Sequence, residues 1–395
     1  MPEVVLDSKV TVLLLGNYEP DGQRSMFRFH NLLKEGLKAN GVNVRSFRPP
    51  VVFGRFGAAT SGWGKWIGYL DKYVLCPLFL RRAVTSLKGE RIVHIIDHSN
   101  AFYTKWLSKE ITVVTCHDLL AVRSARGEFE ENRLKFTGKL QQSIIEAGLR
   151  RSTFIASVSR ATADDVDRII GKKTDWLNVI PNALDEDFIE NAASDSQNHL
   201  KCPKSLQNLK YVMHIGGEKW YKNRTLALKV FTKLHAMDQA IKLVIVGPAF
   251  TNDQLSAAGH DPALPLPIIY LSGVDDTELR SVYGHCQMLL FLSLIEGFGW
   301  PILEAQACGC PVLTLDRAPM NELNASKQLI LTGDPEAPAW SEKAAQTCLQ
   351  FLQQESSERL LNKDTIREFA ADFTNESSVG SYMALYRKAL ATVSE

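Results

Sequence analysis

Several features are scarce or missing in this sequence, and each absence removes a class of function. No apolar run is long enough to span a bilayer. The opening residues pass from Met1, Pro2 and Glu3 to Asp7 and Lys9 without the basic start and apolar stretch of a secretory signal. A cytoplasmic protein is expected, with the inner face of a membrane as a second place of work. Charge imbalance is almost nil. The 45 Lys and Arg residues against 44 Asp and Glu leave a formal charge of +1, too little to gather a polyanion, so nucleic acid is not an expected partner. Cysteines are few and scattered: among the seven only Cys308 and Cys310 lie close, and the single Gly309 between them does not fit zinc-finger spacing. Reduced, mostly buried thiols are expected. The Gly-x-Gly-x-x-Gly fingerprint of a dinucleotide site is also missing, which argues against a nicotinamide dehydrogenase.

What remains is a chain of 395 residues, 45% hydrophobic, long enough for two α/β cores. Short β-rich runs alternate with helical patterns through the first half. They are Val10–Leu15, a helix over Ser25–Ala39, Val42–Phe47, Ile92–Ile96, Ile111–Thr115, a helix over Leu134–Leu149, and Phe154–Val158. The second half repeats this with Tyr211–Ile215, a helix over Arg224–Ala236, Lys242–Val246, Ile268–Leu271, Thr277–Gly284, Gln287–Leu292, Pro301–Cys308 and Pro311–Leu315. Alternation of this kind predicts parallel sheets with crossover helices, hence two doubly wound domains. The polar stretch Asn191–Gln207 predicts a surface loop, and the hinge is expected near Asn182–Lys204.

The segment from Ser293 to Val312 carries most of the chemistry. It reads as the end of a strand, a loop over Glu296, Gly297, Phe298, Gly299 and Trp300, a helix opened by Pro301, and a turn at Gly309. Ligands of open α/β sheets bind at the C-terminal ends of strands, and a helix N-terminus favours an anion such as phosphate. Glu304 is expected in the first helical turn, placed to accept hydrogen bonds from ribose hydroxyls, and Glu296 is placed to face a sugar. Lys222, beyond Gly216 and Gly217, can neutralise a departing diphosphate. In the first half, the turn from Gly16 to Gly22 follows the first strand and can offer backbone to a diphosphate or an acceptor.

Glu296 and Glu304 lie within Glu-Gly-Phe-Gly-x-Pro-x-x-Glu-Ala-x-Ala-Cys-Gly-x-Pro-Val, and this resembles the Glu-x7-Glu motif of the family 4 glycosyltransferases. Supporting matches are Ile215-Gly216 with Lys222-Asn223, Leu243 to Gly247, Leu271 to Val274, Ile180-Pro181-Asn182 and Val158-Ser159-Arg160, so the resemblance covers nearly the whole chain. It implies a GT-B architecture of two Rossmann-like domains facing a central cleft. Residues 1–183, with a C-terminal helix at about 376–395 packing back on them, would take the acceptor, and residues 184–375 the nucleotide-sugar.

It further implies a retaining hexosyltransferase without an essential metal, using a GDP-mannose or UDP-hexose type of donor and a glycan or lipid-linked acceptor in polysaccharide or glycoconjugate synthesis. In similar enzymes a histidine in the position of His117 touches the donor sugar, and Asp118 orients it or caps the next segment. Donor-binding positions carried over are Gly16, Gly217, Lys219, Lys222, Gly247, Val274, Glu296, Gly297, Phe298, Gly299 and Glu304. The family often places an arginine in the loop after Gly216. This sequence has Gly217, Lys219 and Tyr221 there, and Lys219 is the substitute considered. A non-catalytic sugar-nucleotide-binding protein of the same fold is the alternative.

Two other clusters have plainer readings. Asp185, Glu186 and Asp187 mimic a metal-binding Asp-x-Asp, but charged hinge residues explain them. Trp63–Arg82 mixes aromatics with Lys65, Lys72, Arg81 and Arg82. Apolar residues occupy too many faces for a clean amphipathic helix and Pro77 interrupts it, so burial is expected, with acceptor or lipid contact as the alternative.

Overall fold

Runs such as Thr-Val-Leu-Leu-Leu and Met-Leu-Leu-Phe are buried at every position, as strands covered by helices on both faces must be. The computed structural model describes residues 10–57, 62–171, 176–193, 202–337 and 339–394. The chain divides into two compact units, Met1–Ala183 with Asn375–Glu395, and Leu184–Thr374.

In the first unit a six-stranded parallel sheet contains β1 (Thr11–Leu15), β2 (Asn43–Phe47), β3 (Arg91–Ile95), β4 (Ile111–Cys116), β5 (Phe154–Ser157) and β6 (Leu177–Val179), in the order β2-β1-β3-β4-β5-β6. The second sheet has β7 (Lys210–Ile215), β8 (Ile241–Val246), β9 (Ile268–Leu271), β10 (Met288–Phe291), β11 (Val312–Leu315) and β12 (Ile330–Leu331), in the order β12-β11-β10-β7-β8-β9. In each, the chain winds outward in one direction and then in the other. The reversal leaves a crevice between β1 and β3 in the first unit and between β7 and β10 in the second, the place where such sheets hold ligands.

Helices cover the sheets through apolar faces. Arg24–Ala39 turns Phe29, Leu33 and Leu37 inward at four-residue spacing, and Arg224–Met237 buries Phe231 and Leu234 against Leu243 and Ile245. The helix Asn375–Ser394 packs on Arg24–Ala39 and on β4. It is also fixed by a buried polar chain. His94 Nδ1 lies 2.6 Å from Tyr386 Oη, His94 Nε2 lies 2.8 Å from Thr115 Oγ1, and that hydroxyl lies 3.0 Å from Tyr382 Oη. Burial pushes the His94 imidazole down to about 3, so it stays neutral and both ring nitrogens have partners.

The structure corrects two sequence expectations here. Asn191–Gln207 is not all loop: residues through Ala193 complete the helix Glu186–Ala193, Lys204–Leu206 forms a 3-10 turn, and 194–201 lie outside the described residues. The stretch predicted to be buried at Trp63–Arg82 is a helix from Gly62 to Thr85 with a π-helical middle at Leu70–Leu75. Its Cys76, Pro77 and Leu80 are buried, but Trp66, Leu70, Val74, Leu78 and Phe79 are exposed. The wider π turn changes which side chains share a face, and a scan at helical spacing cannot anticipate that. All seven cysteines are free thiols, six of them buried.

Candidate functional site

The crevice of the second unit begins where β7 ends. Ile215 leads through Gly216 and Gly217 into a 3-10 turn, Trp220–Lys222, and Asn223 in the left-handed conformation starts the helix Arg224–Met237. Across the crevice, β10 leads through Ser293 to the Glu296–Gly299 loop and the helix Trp300–Ala307. Two bonds join these loops. The Leu294 N–H donates to the Tyr221 carbonyl at 2.7 Å, and Lys222 Nζ donates to Glu296 Oε1 at 2.7 Å. Lys222 also lies over the rings of Tyr221 and Phe291. The sequence predicted both residues in the site, and the fold brings their charged ends into contact.

Three side chains that the sequence reading passed over lie on the elements and loops that carry this pair. Arg224 is buried, lies over the Phe250 ring and donates through Nη2 to the Pro248 carbonyl, yet its Nε and Nη1 have no hydrogen-bond partner among the described residues. Burial pulls its pKa down. Ser293 Oγ and His214 Nε2 are also buried and unpartnered. Because His214 Nδ1 donates to the Leu290 carbonyl at 3.0 Å, Nε2 carries the lone pair, and burial lowers this imidazole to about 4. Arg224 gave one signal in the sequence, a third cation-or-amide position after Lys222-Asn223, but nothing there marks a buried guanidinium.

Several predicted donor positions act first as backbone. Gly216 and Gly247 donate their N–H groups to Val246 and Leu271 at 3.2 Å, closing the strand ends. At Gly247 (φ +145°) a Cβ would sit 2.5 Å from the Gly216 carbonyl oxygen, so the turns after β7 and β8 touch only because no side chain intervenes. A Cβ at Gly217 would meet nothing, which leaves that glycine without a packing reason. Gly299, at φ +118°, supplies the left-handed residue before the helix, and Phe298 is buried beside Phe373. Gly297 and Val274 are half-buried and Lys219 is exposed.

The helix end offers fewer open amides than the sequence suggested, because Pro301 has no N–H and Ile302 donates to the Gly299 carbonyl at 3.0 Å. Glu304, expected in the first turn, is the fifth helical residue. It is buried, with Tyr283 Oη donating to its Oε2 at 3.5 Å. The Asp185-Glu186-Asp187 triplet opens a helix, and Asp187 pairs with Arg280 at 2.9 Å.

The first unit's crevice is lined by amides, a carboxylate and imidazoles. Asn17, just past β1, donates to Asp97 Oδ2 at 2.5 Å, just past β3, and to Gln23; Asn100 donates to Asn17 Oδ1 at 3.2 Å. Burial pushes the Asp97 carboxyl up, but His98, His117 and the Ser99 hydrogen bonds outweigh it and hold the pKa below the ordinary value. His117, at the end of β4, is buried edge-on against Phe29 and donates through Nε2 to the Ile96 carbonyl at 2.9 Å, leaving Nδ1 as acceptor. Burial lowers its pKa against the pull of Asp97. Asp118 caps the next helix, accepting from the Leu120 N–H at 2.9 Å. Gly16, predicted to offer backbone, has its N–H committed to the Phe47 carbonyl at 2.8 Å. Asn17, one residue on, is the polar group that reaches the crevice.

Residues 197–366 match the model of the family described as Glycosyl transferases group 1. The chain is 28% identical over 215 residues to the serotype-specific mannosyltransferase WbdA of Escherichia coli, covering 52% of this chain and 26% of that protein. It is 26% identical over 260 residues to the O-antigen chain mannosyltransferase B of Escherichia coli, covering 60% and 64%. The chain thus spans about a quarter of the length of WbdA. Among solved structures it is similar to sucrose-phosphate synthase from Thermosynechococcus elongatus, with a TM-score of 0.68, 16% identity and coverage of 97% and 100%. It is also similar to Anabaena HepE in complex with UDP and glucose, with a TM-score of 0.63, 14% identity and coverage of 95% and 98%. The fold is that of the GT-B glycosyltransferases, with a parallel six-stranded sheet in each unit.

Proposed function

We propose, starting from the group 1 glycosyl transferase match, that this protein transfers a hexose with retention from a nucleotide diphosphate-sugar to a glycan or lipid-linked acceptor in polysaccharide synthesis. Mannose is the sugar favoured by the names of the relatives, which makes GDP-mannose the first donor to try and a UDP-hexose the second. The Lys222–Glu296 pair in the β7–β10 crevice carries the reading: a cation and a carboxylate in contact, where this kind of sheet holds ligands.

In the proposed reaction the donor diphosphate engages Lys222 and the unsatisfied guanidinium nitrogens of Arg224, whose charges offset the negative charge growing on the leaving group. Arg224, rather than exposed Lys219, then fills the place of the loop arginine. The proposal assigns those cations, not a metal ion, to the leaving group, so a chelator leaves the rate unchanged. Gly217, Gly297 and Gly299 give the phosphates room, Glu304 accepts from the ribose hydroxyls, and Val274 and Gly247 border the nucleoside.

The anomeric carbon–phosphate oxygen bond breaks and the acceptor oxygen bonds to the same face. The acceptor proton passes to the released phosphate oxygen. Glu296, freed from Lys222 by the diphosphate, accepts from sugar hydroxyls.

Calorimetric titration with GDP-mannose, UDP-glucose and UDP-galactose, together with an assay for nucleotide diphosphate release, tests this. Donor binding with turnover supports it; donor binding without turnover on any glycan acceptor points to a non-catalytic sugar-nucleotide binder; no donor binding overturns it.

A further inference from the structure

The first unit carries an apolar surface that its own core does not use. On the helix Gly62–Thr85, Trp66, Leu70, Val74 and Leu78 recur every four residues and all are exposed, Trp66 at 58% and Leu78 at 65%. On the neighbouring helix Phe136–Arg151, exposed Phe136, Leu140 and Ile144 recur at the same spacing, with Phe136 at 79%. The helices meet along a seam. Tyr69 Oη donates to Gln141 Oε1 at 3.2 Å, and Gln141 Nε2 donates to Tyr73 Oη at 3.4 Å. The two exposed stripes flank that seam.

A third piece is fastened beside them. The buried Asp71 carboxylate accepts from the N–H groups of Val52, Phe53 and Gly54 at 2.9–3.0 Å, holding exposed Phe53 and Phe56 against the helix. Exposed large side chains scattered singly are ordinary, but contiguous ones on adjoining elements mark a contact surface.

Charge identifies what the surface contacts. Residues 48–88 and 133–151, which supply all three pieces, contain twelve of the chain's 45 basic residues and two of its 44 acidic residues. Of those two acids, Asp71 is buried under its hydrogen bonds and Glu146 is paired with Arg126 and Arg150. The chain as a whole is nearly neutral at +1, so positive charge is concentrated where the exposed apolar side chains are. Exposed Arg55, Arg81, Arg82, Lys135 and Lys139 border the stripes. Aromatic and aliphatic side chains on one face with lysine and arginine at its margin are the pattern of a helix lying in a lipid headgroup layer. The basic margin selects anionic lipid. A second copy of the chain would bring the same positive margin against itself.

We propose that the first unit docks on an anionic lipid surface through these stripes, inserting Trp66, Val74, Phe136 and their neighbours among the headgroups while Arg81, Arg82 and Lys139 pair with lipid phosphates. The proposal does not depend on the transfer reaction.

Co-sedimentation of the full chain with vesicles of phosphatidylcholine alone, and of phosphatidylcholine mixed equally with phosphatidylglycerol, tests it. Each run is paired with light scattering in solution. The expected result is sedimentation with the mixed vesicles only, weakening at least about tenfold when the salt is raised and about tenfold or more in either Val74→Glu/Phe136→Glu or Arg81→Glu/Arg82→Glu. All four side chains are exposed, so the variants fold, and their urea midpoints stay at the wild-type value. Absence of sedimentation with mixed vesicles, equal sedimentation of the variants, or a dimer that Val74→Glu/Phe136→Glu splits while lipid is ignored would each overturn the proposal, the last by assigning the face to self-association.

Discussion

Lys222 Nζ and Glu296 Oε1 sit 2.7 Å apart across the β7–β10 crevice, each answering the other's charge. In the first unit, the β1–β3 crevice is spanned in the same way by Asn17 and Asp97 at 2.5 Å. Both contacts join the loops after the two strands at which the winding reverses. The Lys222–Glu296 contact is the one with a free-energy consequence for an anionic ligand, because in the proposed reaction a diphosphate must take Lys222 from Glu296.

Replacing the two partners should therefore split binding from turnover. Lys222→Ala is expected to lower turnover about 100- to 1,000-fold and to weaken the donor. Glu296→Gln releases the lysine, so donor affinity should hold within a few-fold or improve while turnover collapses. Calorimetry and a nucleotide-release assay on both variants check this; equal loss of affinity in both would rule out competition for Lys222.

Arg224→Met keeps an unbranched side chain against Phe250 while removing the charge. A lost charge-assisted contact of about 1.5–3 kcal/mol predicts a donor dissociation constant raised roughly 10- to 150-fold, with Lys219→Met changing it by less than about threefold. If the two variants rank the other way, the exposed lysine is the phosphate ligand.

Gly247→Ala puts a Cβ into the Gly216 carbonyl at a positive φ. Its expected cost is about 1–3 kcal/mol, read as a lower urea midpoint at unchanged slope. Gly217→Ala should leave the midpoint in place, since nothing lies near that Cβ, and should affect only donor affinity.

Acid should loosen the second unit through His214. Its folded pKa is lowered to about 4 by burial, so between the ordinary value near 6.5 and that point the unfolded chain binds a proton that the folded one refuses. Stability is full above the unfolded pKa and falls as pH drops toward the folded one, by about 2–4 kcal/mol over the window. His214→Gln should flatten that part of the urea-midpoint profile; an unchanged slope would place the acid sensitivity elsewhere, His30 and His94 being similarly lowered.

Strands wrapped on both faces announce themselves in sequence, because every position must be apolar. Ile268–Leu271 is observed with the expected ends, and Val10–Leu15 and Gln287–Leu292 differ from β1 and β10 by single residues. The two-residue β12 and the three-residue β6 carry too little pattern to be read. Lys222 and Glu296 could be named from their loops, but their contact could not, since 73 residues separate them and only the strand order joins them. Arg224 was hidden for another reason. Arginine at a helix start is ordinarily solvated, and only the burial created by Phe250 and the β8 turn makes its bare nitrogens notable. The mistake over Trp66 and Leu78 came from treating all the apolar residues of a segment as one population, when one face of the helix is buried and the other is exposed.

The first unit's last helix, Asn375–Ser394, is separated from the rest of its host by the whole of the second unit. Synthesis therefore delivers the parts out of order. The first sheet leaves the ribosome through β6 with Thr115 and His94 still waiting for the hydroxyls of Tyr382 and Tyr386, and the second unit emerges entire before those tyrosines exist. A nascent chain stopped short of residue 375 holds a complete second unit while the first still lacks its last helix, and His94 is then without the hydroxyl of Tyr386 that it meets in the mature protein.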